Sequence, residues 1–261
     1  MNSAVDRAVN CIWQRYCDPL SLADMASSAM LSRFHFLRVF KQQTGVSPGQ
    51  FLAAVRIYQA KRMLVTSSMS VAGVSFAVGY GSLGSFTTHF TDSVGISPSR
   101  FRRTLHGSVL PDSAWCDAAC GVPPHSPLPG SVATGTVRLP EGYARGRVYL
   151  GIFDTPILQR RPQSAVVLDV TSPRPHPYFL PRVPDGRWFL NAVAVADTDE
   201  PEPWTRRHLL VGGGSQVQAS LGAITLRPRS LTDLPVLLAL PDLELTTPAA
   251  GRREPSPRHA P

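Results

Sequence analysis

Seven residues of the chain return fifty positions later: Ser32, Phe36, Phe40, Gly45, Ser47, Pro48 and Phe51 recur as Ser82, Phe86, Phe90, Gly95, Ser97, Pro98 and Phe101. A repeat at one fixed offset, packed into about twenty positions, restricts the front of the chain to a fold built from two similar units. Each copy carries the same local logic. The leading serine can cap a helix N-terminus. Two phenylalanines four residues apart fall on one helical face and can enter a core together. The glycine five residues further on suits a helix C-terminus. Ser-Pro then opens another helix, because proline is tolerated in a first turn.

Upstream of the first copy, Ser21 to Ala26 predicts a short helix, with Asp24 three residues after a serine cap. Ser70 to Ala77 plays the same part upstream of the second copy. Each unit is therefore short helix, tight turn, longer helix: a helix-turn-helix. Between the units, Gln50 to Leu64 is a helical run in which Phe51, Val55, Tyr58 and Met63 can face both, and which also carries Arg56, Lys61 and Arg62. A plain helical bundle, repeated only for packing, is the competing explanation. Packing alone, however, gives no reason for basic residues on the exposed face of the first long helix.

The formal charge of +8 is unevenly placed. Residues 1–110 hold eleven Lys/Arg against four Asp/Glu, whereas 111–261 hold fifteen against fourteen. The positive field thus belongs to the repeat, as expected of a segment that meets a polyanion. No apolar run approaches the ~20 residues that span a bilayer, and Met1 to Arg7 does not read as a secretory signal. A cytoplasmic protein without a membrane partner is the expectation.

Beyond residue 107 the character changes. Proline, rare before it, clusters between Pro111 and Gly130, and residues 108–135 are expected to form a linker. Short β-rich runs follow at Arg147 to Phe153, Ala165 to Val170, Trp188 to Val195, Ala223 to Leu226 and Val236 to Leu240, punctuated by turns that include Asp185-Gly186 and Gly212 to Gly214. This pattern predicts a sandwich-like β domain over 136–245 and a disordered tail over 246–261. The fold class expected is multidomain: an all-α N-terminal domain over 1–107 with two helix-turn-helix units, then a C-terminal, mostly-β domain.

Little in the chain suggests catalysis. Cys11, Cys17, Cys116 and Cys120 form no Cys-x-x-Cys pair, and Cys116-x3-Cys120 beside His125 is a poor zinc set. Asp197, Asp199, Glu200 and Glu202 near His208 are interleaved with Pro201 and Pro203 and read as a solvated loop. No nucleophile–base pairing or phosphate loop is present, so no catalytic residue, cofactor or metal is expected.

The ordered set Phe34-His35-Phe36-Leu37-Arg38-Val39-Phe40-Lys41-Gln42-Gln43-Thr44-Gly45, then Arg56-x3-Ala60-x3-Leu64, Val78-Gly79-Tyr80, Phe86, Phe90 and Gly95-Ile96-Ser97-Pro98 resembles the AraC/XylS-type DNA-binding domain over about residues 8–105. The resemblance implies two recognition helices entering successive major-groove segments of double-stranded DNA on one face. By position it implies Ser32, Arg33, Phe34, Leu37, Arg38 and Lys41 as DNA-contacting residues of the first unit, and Ser82, Leu83, Gly84, Ser85, Thr87 and Thr88 of the second. Arg38 suits the O6/N7 edge of guanine or, failing that, is a solvated surface arginine. Phe34 either meets a thymine methyl or belongs to the core. Lys41 suits phosphate. The sequence departs from the family at Met30, where the first turn commonly has glycine, at Thr91, where a basic residue is usual, and at Ser75, which replaces a small apolar residue. A sequence-specific transcription regulator is the function implied, with non-specific nucleic-acid binding as the alternative. RNA polymerase is a further partner to test, as is a small-molecule effector held by the C-terminal domain in a pocket lined by Trp188, Trp204, Tyr178 and Phe179. Pro181 to Ala192 weakly resembles a strand of transthyretin-like sandwiches.

Overall fold

Serine caps organise the helical part. Helices α1 (Ala4–Arg15), α2 (Leu22–Ser28), α3 (Arg33–Thr44), α4 (Pro48–Thr66), α5 (Val71–Ala77) and α6 (Leu83–Val94) start after Ser3, Ser21, Ser32, Ser47, Ser70 and Ser82, each of whose hydroxyls accepts a first-turn N–H. Helix α7 (Pro98–Leu105) follows Ser97, which accepts from the Arg100 N–H. Such caps are worth roughly 1 kcal/mol apiece. The computed structural model describes residues 3–105, 131–172, 174–198, 208–217 and 222–240. The expected linker from 108 to 130 with Cys116, Cys120 and His125, the acidic loop at Asp199, Glu200 and Glu202, Trp204 and the tail at 246–261 lie outside the described residues.

The repeated phenylalanines have one job done twice. Phe36, Phe40 and Phe51 stack edge to face with centroids 5.3 and 5.6 Å apart. Phe86, Phe90 and Phe101 form the matching trio at 5.6 and 5.7 Å. All six are fully buried, and each contributes about 1.5–3 kcal/mol by leaving water. Helix α4 joins the trios through Val55, Ile57, Ala60 and Leu64, which enter the same core. Helices α3 and α6 both close on a left-handed glycine, Gly45 and Gly95.

The two turns differ by one residue. After α2, the Met30 N–H donates to Ser27 O and the Leu31 N–H to Ala26 O. After α5, the Gly79 N–H donates to Phe76 O and the Tyr80 N–H to Ser75 O. These are the paired bonds of a helix closed by one left-handed residue, so Met30 corresponds to Gly79 at an offset of 49, and Gly81 is the extra residue that restores 50. Met30 has φ 58 and Gly79 φ 85.

The β-rich part consists of β1 (Ser131–Arg138), β2 (Tyr143–Phe153), β3 (Ser164–Val170), β4 (His176–Val183), β5 (Trp188–Thr198), β6 (His208–Val217), β7 (Ala223–Thr225) and β8 (Arg227–Pro228). They form a three-stranded sheet in the order β4-β1-β7 and a five-stranded sheet in the order β3-β2-β5-β6-β8. One apolar core lies between them, with Val137, Tyr178, Leu180 and Leu226 from one side and Val148, Leu150, Ala192 and Leu210 from the other.

Three expectations need correction, and one strand, β4, was not expected. Residues 131–135, expected in the linker, are the start of β1, whose small residues pair with β4. Strand β4 was hidden by Pro177 and Pro181; it lies at a sheet edge, where a missing N–H is tolerated. Gly212 to Gly214 do not separate strands but lie inside β6, where a bulge opposite Leu190 and Asn191 absorbs them. Val236 to Leu240 forms no strand and joins neither sheet. Val236, Leu238 and Leu240 cover Tyr149, Phe153 and Val193 on the outer face of the larger sheet, while Leu237 and Ala239 pack into the helical core. This segment is a strap with both faces buried.

The strap and one loop bind the two parts together. Lys61 of α4 is buried and donates to Leu238 O at 2.7 Å. The Arg229 guanidinium stands over the rings of Trp13 and Tyr58 at 5.5 and 5.2 Å. The loop from Asp154 to Pro162 places Ile157 in the helical core and donates the Arg160 N–H to Ser93 O at 2.9 Å, while Pro156 lies against Gly45. The β-rich part therefore touches the C-terminal ends of both α3 and α6. Among the described residues no helix is long and apolar enough to cross a membrane.

Candidate nucleic-acid interface

Helix α3 buries Phe36, Phe40 and Thr44 on one side. The opposite side, with its cap, presents Ser32, Arg33, Phe34, Leu37, Arg38 and Lys41, all exposed. The alternative left open for Phe34 is decided by its exposure of 82 %: the ring belongs to the surface and not to the core. With Leu37 also exposed on a helix that carries three cations and no carboxylate, the ring is part of an apolar patch rimmed by charge, the mark of an interaction surface. Leu37 is the second apolar residue on this face.

Helix α6 repeats the shape with different chemistry. Ser82, Leu83, Gly84, Ser85 and Thr88 are exposed and Thr87 is half-buried. The Ser82 hydroxyl donates to that of Ser85 at 3.0 Å, so these two are tied to each other at the helix start. Thr91 donates its hydroxyl to Thr87 O at 2.7 Å and is folded back on its own helix. The helix carries no lysine or arginine and one carboxylate, Asp92. Against the Arg33, Arg38 and Lys41 of α3, α6 is a weak attractor of phosphate.

Some of the other basic residues are absorbed by the fold and some are not. Arg56 donates to Tyr16 O at 2.7 Å and to Asp18 O at 2.8 Å, pinning the connection between α1 and α2. Arg102 donates to Leu64 O at 3.2 Å. Arg62, Arg100 and Arg103 are exposed. Ser75 is fully buried, and its hydroxyl reaches Ser82 O at 3.5 Å, which links the short helix of the second unit to the start of α6. In the sequence Met30 stands out only as a departure from glycine. Its side chain is 73 % exposed in the turn that leads into α3, adding a third apolar group beside that helix.

The three described residues of the expected effector pocket take different settings. Tyr178 is fully buried, with its hydroxyl donating to Gly222 O, and burial pushes that hydroxyl up to about 12. Trp188 donates its Nε1–H to Pro184 O at 2.8 Å, and Phe179 is exposed on the surface. Trp204 lies outside the described residues.

Residues 25–104 match the family model described as a helix-turn-helix domain. Over 101 residues the chain is 34 % identical to an uncharacterized HTH-type transcriptional regulator of Haemophilus influenzae, covering 39 % of this chain and 34 % of that protein. Over 102 residues it is 31 % identical to the lactose operon transcription activator of Staphylococcus xylosus, covering 39 % and 37 %. Among solved structures, the DNA-binding domain of AdpA in complex with a target DNA is 30 % identical, covering 40 % of this chain and 93 % of that one, with a TM-score of 0.38. The chain spans about a third of the length of these curated relatives, and the match stays within its helical part. With two capped units joined by one long helix, the helical part of this chain carries a helix-turn-helix domain similar to those of HTH-type transcriptional regulators.

Proposed function

We propose that the chain is a cytoplasmic, sequence-specific transcription regulator that reads successive major-groove segments of duplex DNA with α3 and α6. The observation that carries this is the disposition of α3: a fully buried aromatic face behind an exposed face of Arg33, Phe34, Leu37, Arg38 and Lys41. Arg38 is the base reader for guanine, since a guanidinium matches O6 and N7 with two parallel bonds. Phe34 and Leu37 suit thymine methyl groups. Arg33, Lys41 and the serines Ser32, Ser82 and Ser85 suit the phosphate backbone. Leu83, Gly84, Thr87 and Thr88 offer apolar contact and hydroxyls in the second groove. The first unit then supplies most of the specific energy and the second sets register.

The chain is read as a regulator and not as an enzyme, with 1–107 as the reading head and the β-rich part as a sandwich that tunes it. RNA polymerase and a small-molecule effector are the further partners. Because the excess of Lys and Arg in the helical part attracts phosphate whatever the sequence, non-specific binding is the competing function. Selection of bound duplexes from a random pool with the full chain separates the two. A regulator yields one site, and footprinting shows protection of about two helical turns that survives moderate salt. A non-specific binder yields no motif and loses its protection as salt displaces it from phosphate.

A further inference from the structure

The connection between β2 and β3 runs from Asp154 to Pro162, and Pro156 and Pro162 fix φ near its two ends. It is held from within and from below. The Thr155 hydroxyl and the Gln159 N–H both donate to Ile157 O, at 3.1 and 2.8 Å. At the neck the Arg160 guanidinium meets Asp154 at 3.2 Å, and the Gln163 N–H donates to Ile152 O at 2.9 Å. Leu158 O accepts the strap N–H groups of Leu237 and Leu238 at 2.9 and 3.3 Å. Two neighbouring side chains then part: Ile157 enters the helical core, and Leu158 joins the apolar cluster on the outer face of the larger sheet.

This anchored loop ends on both α3 and α6. Pro156 lies 3.7 Å from the point where a Cβ on Gly45, the closing residue of α3, would stand. The Arg160 N–H donates to Ser93 O at 2.9 Å. Ser93 is in the last turn of α6, where carbonyls lack a partner within the helix. To make that bond Arg160 adopts φ 61, while its side chain returns to Asp154. A left-handed arginine is unfavourable by itself and persists where its surroundings over-determine it.

The loop is thus a second link between the two units, beside α4, which packs on both α3 and α6. From Pro156 to Arg160 it can reach no more than ~14 Å, so the link is short as well as stiff. A duplex makes a demand that such a link bears on. One extra base pair between two read segments moves the second by about 3.4 Å along the axis and turns it by roughly 35°. Two helices free to shift would follow that change, and a braced pair would not.

We propose that the loop from Asp154 to Pro162 is a strut that fixes α3 and α6 relative to each other, so that the chain accepts one spacing between the two halves of its site. Pro156 and Arg160 are its positioning residues. The spacing rests on the regulator reading; the strut does not.

The test uses the full chain. Duplexes carrying the selected site are made with one base pair added or removed between its halves. The native chain should lose at least about tenfold in affinity on either change. In Pro156→Gly, which takes the ring from Gly45, and in Arg160→Pro, which removes the N–H and forbids the left-handed φ, the loss should shrink to about threefold or less. Arg160→Gly keeps both features, gives up only the guanidinium, and should keep the native profile.

The strut itself is read without DNA, by pulsed electron-spin distances between labels at the exposed positions Gln42→Cys and Asp92→Cys. The background carries Cys11→Ser, Cys17→Ser, Cys116→Ser and Cys120→Ser. One narrow distance is expected with the native loop, and a broader distribution in Pro156→Gly and Arg160→Pro. Should Arg160→Pro lose its helical circular dichroism, Pro156→Gly alone decides. Distances that stay narrow in the loop variants overturn the strut, and distances that broaden while the spacing losses stay native overturn the spacing. An Arg160→Gly chain that relaxes as far as Arg160→Pro overturns the role of the N–H. A chain that selects no duplex refutes the regulator reading and the spacing with it, and the label distances still decide the strut.

Discussion

Met30 and Gly79 occupy the same place in the two turns, and exchanging their residue types in opposite senses should move stability in opposite directions. Met30 sits at φ 58 with its side chain in solvent. The left-handed region costs an L-residue roughly 1–2 kcal/mol. Met30→Gly removes that cost, while the freer glycine raises the entropy cost of folding by about 0.4–1 kcal/mol, for a net gain near 0.5–1 kcal/mol. Gly79 sits at φ 85, and a Cβ there would lie 2.6 Å from Cys17 O and 3.1 Å from Nη2 of Arg56. Gly79→Ala adds the handedness cost and also displaces Arg56 from Tyr16 O or Asp18 O. One hydrogen bond to a charged group is worth about 1.5–3 kcal/mol, so the total is about 3 kcal/mol or more. Urea titration followed by circular dichroism at the helix band reads this directly, since all described helices lie between Ala4 and Leu105. A Gly79→Ala variant that loses less than about 1 kcal/mol, below the left-handed cost alone, would refute the reasoning. A Met30→Gly variant with a lowered midpoint would do the same.

Arg38→Ala should remove about 1–3 kcal/mol of duplex affinity and relax one base position in the selected motif; a variant that selects the unchanged motif refutes the assignment. Lys41→Ala should weaken all duplexes alike and reduce the salt slope by about one, because one counterion-releasing contact is lost. For Tyr178 the folded-state value of about 12 lies above the ordinary 10, so the neutral hydroxyl is favoured in the fold. Its contribution is fully present below pH 10 and fades as pH climbs towards 12. Tyr178→Phe should flatten that alkaline decline of the β-rich part; an unchanged alkaline limb in a thermal-melt series would count against it.

The helical part was legible because its signals are local. Serine caps, phenylalanines four apart and a closing glycine act within one helix, and the fifty-residue offset states that the motif occurs twice. The one-residue slip between the turns was not legible, because identity at Ser32 and Ser82 masks an insertion at Gly81. In the β-rich part the same local rules misled. Gly212 to Gly214 have turn composition but sit in a bulge that only the neighbouring strand explains. Val236 to Leu240 has strand composition, yet its N–H groups at Leu237 and Leu238 find only Leu158 O. Most of the exposed face of α3 was readable, because charge and helical spacing suffice to place it; Phe34 was not, since its ring suits core and surface equally.

The strap has a consequence for biogenesis. It is the last described segment to leave the ribosome, yet it covers Lys61 and supplies Leu237 to the core of a domain finished more than a hundred residues earlier. During synthesis the head must therefore wait, with a stripe of α4 bare to chaperones, until the C-terminal stretch emerges and seals it. A nascent chain stalled short of residue 229 would already hold both helix-turn-helix units and still lack their fastening.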